Sequence, residues 1–400
     1  MANRFVLALA GWVLVLGAAL GAASYLVDAS GLFHWLDPGK PALCTPGMSV
    51  DGYAAKPYAY LASGRRTLAL GTSHVEIGID VSDPHLVSQA GPAFNLALPG
   101  ADMRTMARLG IEAMSRGMVD TILMGLSYGM FEIDPRDGME SPPTLNTGLG
   151  SIAVRVRALF APAFAKIALR SVLLGCQTPV YRVDGQWRPG VYASGVWTNA
   201  SKTMREELPD VYLKQYMMKS KRVAEAGWSP YSANLQALRE MVETAVRTRT
   251  RLVMFATPLS GPYLEIISQT GHQDGLEQWK RDLGDLAGRS IAVAPVQDFS
   301  VHSKATDEPF PVAVSSMADL HWFLDLNHFS PALGTLVLRR LFQENGDGEL
   351  FGAPLEPGTI DAHLAAARRA RGAYRATHPQ EVAWVERRVA IVRRAGREAR

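Results

Sequence analysis

The chain has 400 residues, 48% hydrophobic and 20% charged, with a formal net charge of +3 at pH 7. This composition excludes wholesale disorder and a polytopic membrane protein, and the length is ample for a large core. So small a net charge gives no reason to expect a nucleic-acid partner, and no zinc-finger spacing, Walker loop or GxGxxG fingerprint occurs.

After MANR, the stretch from Phe5 to Val27 carries no charge. About 20 apolar residues span a bilayer as a helix, so residues 5–27 are read as a transmembrane anchor and residues 1–4 as a cytoplasmic stub. Arg4 before the run and Asp28 after it favour N-in, C-out, which places the body in the periplasm or extracytoplasmic space beside a bacterial inner membrane. Gly21-Ala22-Ala23 resembles a signal cleavage site, but the apolar run continues through Tyr25 and Val27, favouring an anchor over a cleaved signal. The two cysteines, Cys44 and Cys176, are compatible with one disulfide or two free thiols. Neither has a Cys or His at ligand spacing, so no metal is expected.

Residues 28–60 read as a linker, with the Pro- and Gly-rich stretch Asp37 to Lys56 extended. The body, residues 61–345, alternates short apolar runs with amphipathic ones. Strands are predicted at 67–70, 93–98, 121–125, 252–257 and 290–296, and helices at 103–115, 151–174, 233–248, 276–286 and 331–342. That alternation predicts an α/β fold, a parallel sheet with helices on both faces. Residues 177–227 break the rhythm and read as an inserted loop or hairpin region. Residues 346–400 form a basic helical extension, with ten Arg against four acidic residues from Asp361 onward. It reads as two helices broken near His378-Pro379 that pack an apolar face on the body. A basic surface for an anionic polymer, lipid headgroups or a partner is the alternative.

In an open parallel sheet, ligands bind beyond the carboxyl ends of the strands. LALGTSH places Ser73 there, directly after the first body strand. A serine hydroxyl needs a base to become a nucleophile, and the base needs an orienting group. HWFLDLNHFSP supplies both late in the chain, Asp325 and His328 in D-x-x-H spacing before a helix opened by Ser330-Pro331. The spacing lets the carboxylate accept from one ring nitrogen while the other faces a serine.

GTSH and DLNH resemble the first and last motif blocks of the SGNH (GDSL-type) hydrolase superfamily. The resemblance implies a flavodoxin-like three-layer sandwich, Ser73 as nucleophile, His328 as general base and Asp325 as its orienting carboxylate, with no cofactor. FNLALPGADM is similar to the second block, where Gly100 would offer an oxyanion N–H alongside that of Ser73. The third block, G-x-N-D in typical members, reads Gly125-Leu126-Ser127-Tyr128, so Ser127 stands where the asparagine donor is expected. One anchor, an exported body and Ser-then-Asp-x-x-His order are similar to the D-alanyl-lipoteichoic acid transfer protein D family and to membrane-anchored polysaccharide O-acetyltransferases. The alginate O-acetyltransferase proteins are similar in role, but their Asp and His precede the serine. The resemblance implies an acyl-serine intermediate, a polysaccharide acceptor and a multipass membrane acyltransferase as partner. The alternatives are an SGNH carbohydrate esterase and a catalytically inactive glycan-binding scaffold. Asp298, at a predicted strand end, and His74 are supporting candidates. His74 is expected to point away from Ser73 if strand geometry persists.

Overall fold

A computed structural model describes residues 2–28, 32–33, 52–132, 143–145, 149–175, 181–188, 230–288, 294–310, 320–342 and 351–398. Its elements begin with α1 (Ala2–Val27), α2 (Gly52–Ser63), β1 (Thr67–Leu70), α3 (Ser73–Gly78), α4 (Pro84–Ala90), β2 (Ala93–Asn95) and α5 (Met103–Ser115). They continue with β3 (Thr121–Leu126), α6 (Tyr128–Glu132), α7 (Leu149–Phe160), α8 (Pro162–Leu174), α9 (Pro230–Thr248) and β4 (Arg251–Ala256). The last are α10 (Gly261–Gln269), α11 (Gln273–Gly288), β5 (Gln297–Asp298), α12 (Pro331–Phe342), β6 (Ala353–Pro354), α13 (Ile360–Thr377) and α14 (Pro379–Glu398). The chain divides into two compact units, Met1–Gly64 with Pro143–Val191 and Arg65–Pro142 with Tyr192–Arg400.

In the first unit, Arg4–Val27 within α1 is long and apolar enough to cross a membrane. The helix stops at Asp28, where φ turns to 45° and the carboxylate accepts the N–H groups of Leu32 and Phe33. α7 and α8 pack on α1. The single helix expected over 151–174 is broken at Ala161-Pro162 because proline opens α8 without an N–H to continue α7. Residues 52–60, expected as the end of a linker, lie in α2. Within the expected insertion, residues 181–188 form a tight hairpin, with Tyr181 bridged to Trp187 and Lys56 over the Tyr181 ring. The rest of that insertion and both cysteines lie outside the described residues. Residues 143–191, read from the sequence as part of the body, group with α1 and α2.

The second unit is α/β, with a mostly parallel six-stranded sheet ordered β2-β1-β3-β4-β5-β6, only β6 running antiparallel to its neighbour. β1 (TLAL) and β3 (TILMGL) are buried throughout, the continuous apolar run of a strand covered on both faces. Ala69, Leu123 and Val253 pack with Leu86 of α4 and Leu333 and Val337 of α12. Leu70, one residue on and so on the opposite face, meets α5 at Gly110, beside Met241 of α9. Helices therefore cover both faces.

Two strand ends differ from expectation. β2 stops at Asn95, yet the chain continues extended along β1 through Leu96 N–H to Ala69 O and Leu98 N–H to Gly71 O. Of the strand expected at 290–296, residues 290–293 lie outside the described part and 294–296 are irregular; the strand lies at Gln297–Asp298. The C-terminal helices form as expected. α13 packs on α11, and α14 on α10.

Candidate active site

β1 does not run on through Ser73. Gly71, at φ 155°, turns the chain, and Ser73 becomes the first residue of α3. A Cβ on Gly71 would come within 3.0 Å of the Gly125 carbonyl oxygen, so glycine is required for this tight passage beside β3. Asn95, fully buried at the end of β2, donates to the carbonyls of Val75 and Ile79 and holds the far end of α3. The chain crosses from β2 on one side of β1 to β3 on the other, so Ser73 sits at the switch point of the strand order, the place where open α/β sheets bind ligands.

The second part of the site is a closed loop. Phe323 bridges Phe329, Leu324 N–H donates to His328 O, and Ser330 N–H donates to Trp322 O. Asp325 lies at its tip, 1% exposed, with Oδ1 accepting the N–H groups of Asn327 and His328, both at 2.7 Å. Its Oδ2 is 2.7 Å from His328 Nδ1, and His328 Nε2 is 2.8 Å from Ser73 Oγ. The three residues the D-x-x-H and GTS motifs point to are thus joined in one hydrogen-bonded series. In a neutral ring, Nδ1–H donates to Asp325 and Nε2 accepts from the Ser73 hydroxyl.

Close packing brings the two parts together. A Cβ on Gly334 of α12 would lie 1.8 Å from the Gly78 carbonyl oxygen at the end of α3, and one on Gly78 would strike the Phe329 ring. Glycine at both positions lets the helix after His328 rest directly on the helix that carries Ser73.

Burial alone would lower the His328 pKa, but the Asp325 carboxylate, helped by the charge of buried Glu76, outweighs it and raises the imidazole above its ordinary value. His74 does not point away from this centre. Because α3 begins at Ser73, strand alternation has already ended, and the His74 ring lies 5.4 Å from that of His328, centroid to centroid. It is buried, with Nε2 2.8 Å from Asn327 Oδ1 and Nδ1 3.0 Å from Thr72 Oγ1. Burial, then the neighbouring His328, push its pKa down to about 4, so the ring is neutral at pH 7.

Gly100, at φ 68°, lies in an exposed turn two residues beyond Leu98, whose N–H is bonded to Gly71 O. That bond brings the turn alongside the passage leading to Ser73. β3, the strand that pairs with β1, ends at Leu126, so Ser127 follows directly at the sheet's carboxyl edge. Ser127 is buried, and its backbone N–H points to Met130 Sδ at 3.4 Å. The Ser73 N–H, at the first position of a helix, has no intrahelical acceptor.

Asp298 belongs elsewhere. It is fully buried, 2.8 Å from both Lys280 Nζ and His363 Nε2, and accepts the Ser300 N–H. Burial alone would raise its carboxyl; the Lys280 ammonium and the His363 hydrogen bond outweigh that and hold it at about 2. It ties α11 and α13 to β5. Asn327 and Glu76 were not singled out from the sequence. Asn327 lies inside DLNH, but no spacing rule links it to residue 74, and Glu76 comes close to His328 only once Ser73 starts a helix. Among the described residues, no group of three or more His, Cys, Asp or Glu side chains could hold a metal ion. No family model, curated protein or solved structure matches this chain, so the reading of the site rests on its own geometry.

Proposed function

We propose that this chain is a membrane-anchored SGNH-type serine O-acyltransferase or esterase acting on a cell-envelope or exported polysaccharide. The observation that carries the reading is the Asp325–His328–Ser73 series, with 2.7 and 2.8 Å links, at the switch point of a parallel sheet. The strand order β2-β1-β3-β4-β5 is the flavodoxin-like one, which supports the fold implied by the GTSH and DLNH blocks.

In this mechanism Ser73 Oγ attacks the carbonyl carbon of an acyl donor while His328 Nε2 takes its proton. The Asp325 carboxylate stabilises the imidazolium that forms. The oxyanion is met by the Ser73 and Gly100 N–H groups, with the Ser127 hydroxyl in place of an asparagine amide. Collapse breaks the bond to the leaving alkoxide, which takes the proton from His328 and leaves acyl-Ser73. A sugar hydroxyl, or water in the esterase, then attacks that ester and gives its proton to His328; collapse breaks the acyl–serine bond, and the departing Ser73 oxygen takes the proton back from His328. The acceptor class and a multipass membrane acyltransferase as acyl supplier follow from the family resemblance.

Incubating the purified chain with an aryl acetate, with and without an oligosaccharide, tests this. Release that disappears in Ser73→Ala supports the serine mechanism; acetylated sugar assigns transfer and free acetate alone assigns hydrolysis. Release and labelling that persist unchanged in Ser73→Ala would leave the glycan-binding scaffold in their place.

A further inference from the structure

The first unit carries apolar surface that α1 does not cover. On α7 and α8, Ile152, Phe160, Leu169, Val172, Leu173 and Leu174 are between 51% and 77% exposed. So many large apolar side chains exposed on two packed helices mark an interaction or membrane surface. The surface adjoins the apolar helix itself. A Cβ on Gly21 of α1 would meet the Phe160 ring at 3.3 Å, and Val27 packs with Ala168, flanked by Ala23, Phe164 and Ile167. The hairpin therefore rests on the C-terminal third of α1, while Phe5, Trp12 and Leu14, nearer its start, are 66% exposed or more.

Charge distinguishes this surface from a protein-binding groove of neutral character. Residues 149–175 contain Arg155, Arg157, Lys166 and Arg170 and no acidic residue, and all four basic side chains are exposed. Exposed aliphatic side chains interleaved with cations alone are the composition of a helix seated at an anionic lipid surface, with the long basic side chains reaching to the headgroups.

We infer that α7 and α8 form a second membrane element, a basic amphipathic hairpin seated in the leaflet reached by the C-terminal end of α1. Its occupant is lipid, with anionic headgroups around Arg155, Arg157, Lys166 and Arg170. The inference rests on α1 being in the bilayer, and the experiment tests that separately.

The full chain is reconstituted in nanodiscs of phosphatidylglycerol and phosphatidylcholine, with p-benzoylphenylalanine replacing one residue at a time. The positions are Leu14 in α1, Ile152 in α7, Leu173 in α8 and, as a control in the second unit, Val246 of α9, which is 42% exposed. On illumination, lipid adducts at Ile152 and Leu173 should be as abundant as at Leu14, with background yield at Val246. Adducts at Leu14 with background yield at Ile152 and Leu173 would overturn the hairpin proposal and leave the anchor standing. Crosslinks from Ile152 or Leu173 to a second copy of the chain in place of lipid would overturn it in favour of a protein interface. No lipid adduct at any of the three positions would remove both the hairpin and the anchor.

Discussion

The proposed mechanism turns on two histidines, their ring centroids 5.4 Å apart, that the surroundings treat oppositely. Asp325 raises His328 above the ordinary histidine value, while burial lowers His74 to about 4, so the two rings are driven in opposite directions. The base must be neutral to act. The acid limb of kcat/KM for ester turnover should therefore report a group above the ordinary histidine value of about 6.5. Asp325→Asn removes the charge that raises His328, so the limb should shift down while the rate falls by about 10³- to 10⁴-fold. A limb that stays put in Asp325→Asn would mean another group sets it. His74→Phe tests a positioning role. It leaves the buried Asn327 amide without its ring partner, a cost of about 1–3 kcal/mol in stability. kcat should fall because the loop holding His328 loosens, with the acid limb still present. A limb abolished in His74→Phe would show that His74, not His328, is the titrating base. The Ser73, Asp325 and His328 series was legible in the sequence because the GTS block and the D-x-x-H spacing are local patterns. His74 was misplaced because its orientation depends on whether residue 73 ends a strand or starts a helix, and Gly71 decides that through contact with β3.

At the level of elements, the site depends on α12 lying against α3. Gly334→Ala would drive a methyl group into the Gly78 carbonyl oxygen, and the contact is with backbone, which cannot rotate away. Overpacking of this kind costs about 1–3 kcal/mol. The expected outcome is a lowered melting temperature with a larger loss of Ser73 labelling by an active-site ester probe than stability explains. Intact labelling in a folded Gly334→Ala protein would show that the loop at 322–330 is positioned independently of α12. The C-terminal helices are held by a different kind of contact. Glu265, fully buried, pairs with Arg371 and Arg375, and Asp298 pairs with Lys280 and His363. With its carboxyl at about 2 folded against about 3.9 unfolded, ionised Asp298 contributes stability that is complete above pH 4 and lost as pH falls toward 2, on the order of 2 kcal/mol. The melting-temperature gap between the native chain and Asp298→Asn should therefore be open at pH 6 and narrow steadily below pH 4. A gap independent of pH would assign the residue's effect to packing alone. The sequence signalled an acid at a strand end and could not signal this role, because both partners come from helices distant in sequence.

Across the whole molecule, the functional reading requires the second unit to lie outside the cytoplasm, because its expected acceptor is an envelope or exported polysaccharide. The apolar helix was legible from hydropathy alone. The placement of 143–191 with that helix was not, since a segment between two strands of the body is expected to stay with them. Orientation rests on a small charge difference, Arg4 and the amino terminus on one side of α1 against Asp28 on the other. Asp28 contributes little to such a rule, so the bias comes from the amino-terminal cations. The expected topology is N-in, with the chain after α1 on the outer side of the membrane. Protease added to intact spheroplasts should then digest the Ser73-bearing unit, and a reporter fused before Met1 should survive. Adding three lysines directly after Asp28 opposes the existing bias and should protect the body in a fraction of molecules, with the reporter digested in the same fraction. If the native body is already protected, α1 runs the other way and a polysaccharide acceptor outside the cell is ruled out. The serine chemistry would survive that result, because the Asp325–His328–Ser73 geometry lies wholly within the second unit. The acceptor would then have to be an alcohol or water on the cytoplasmic side, so topology tests the substrate class independently of the mechanism.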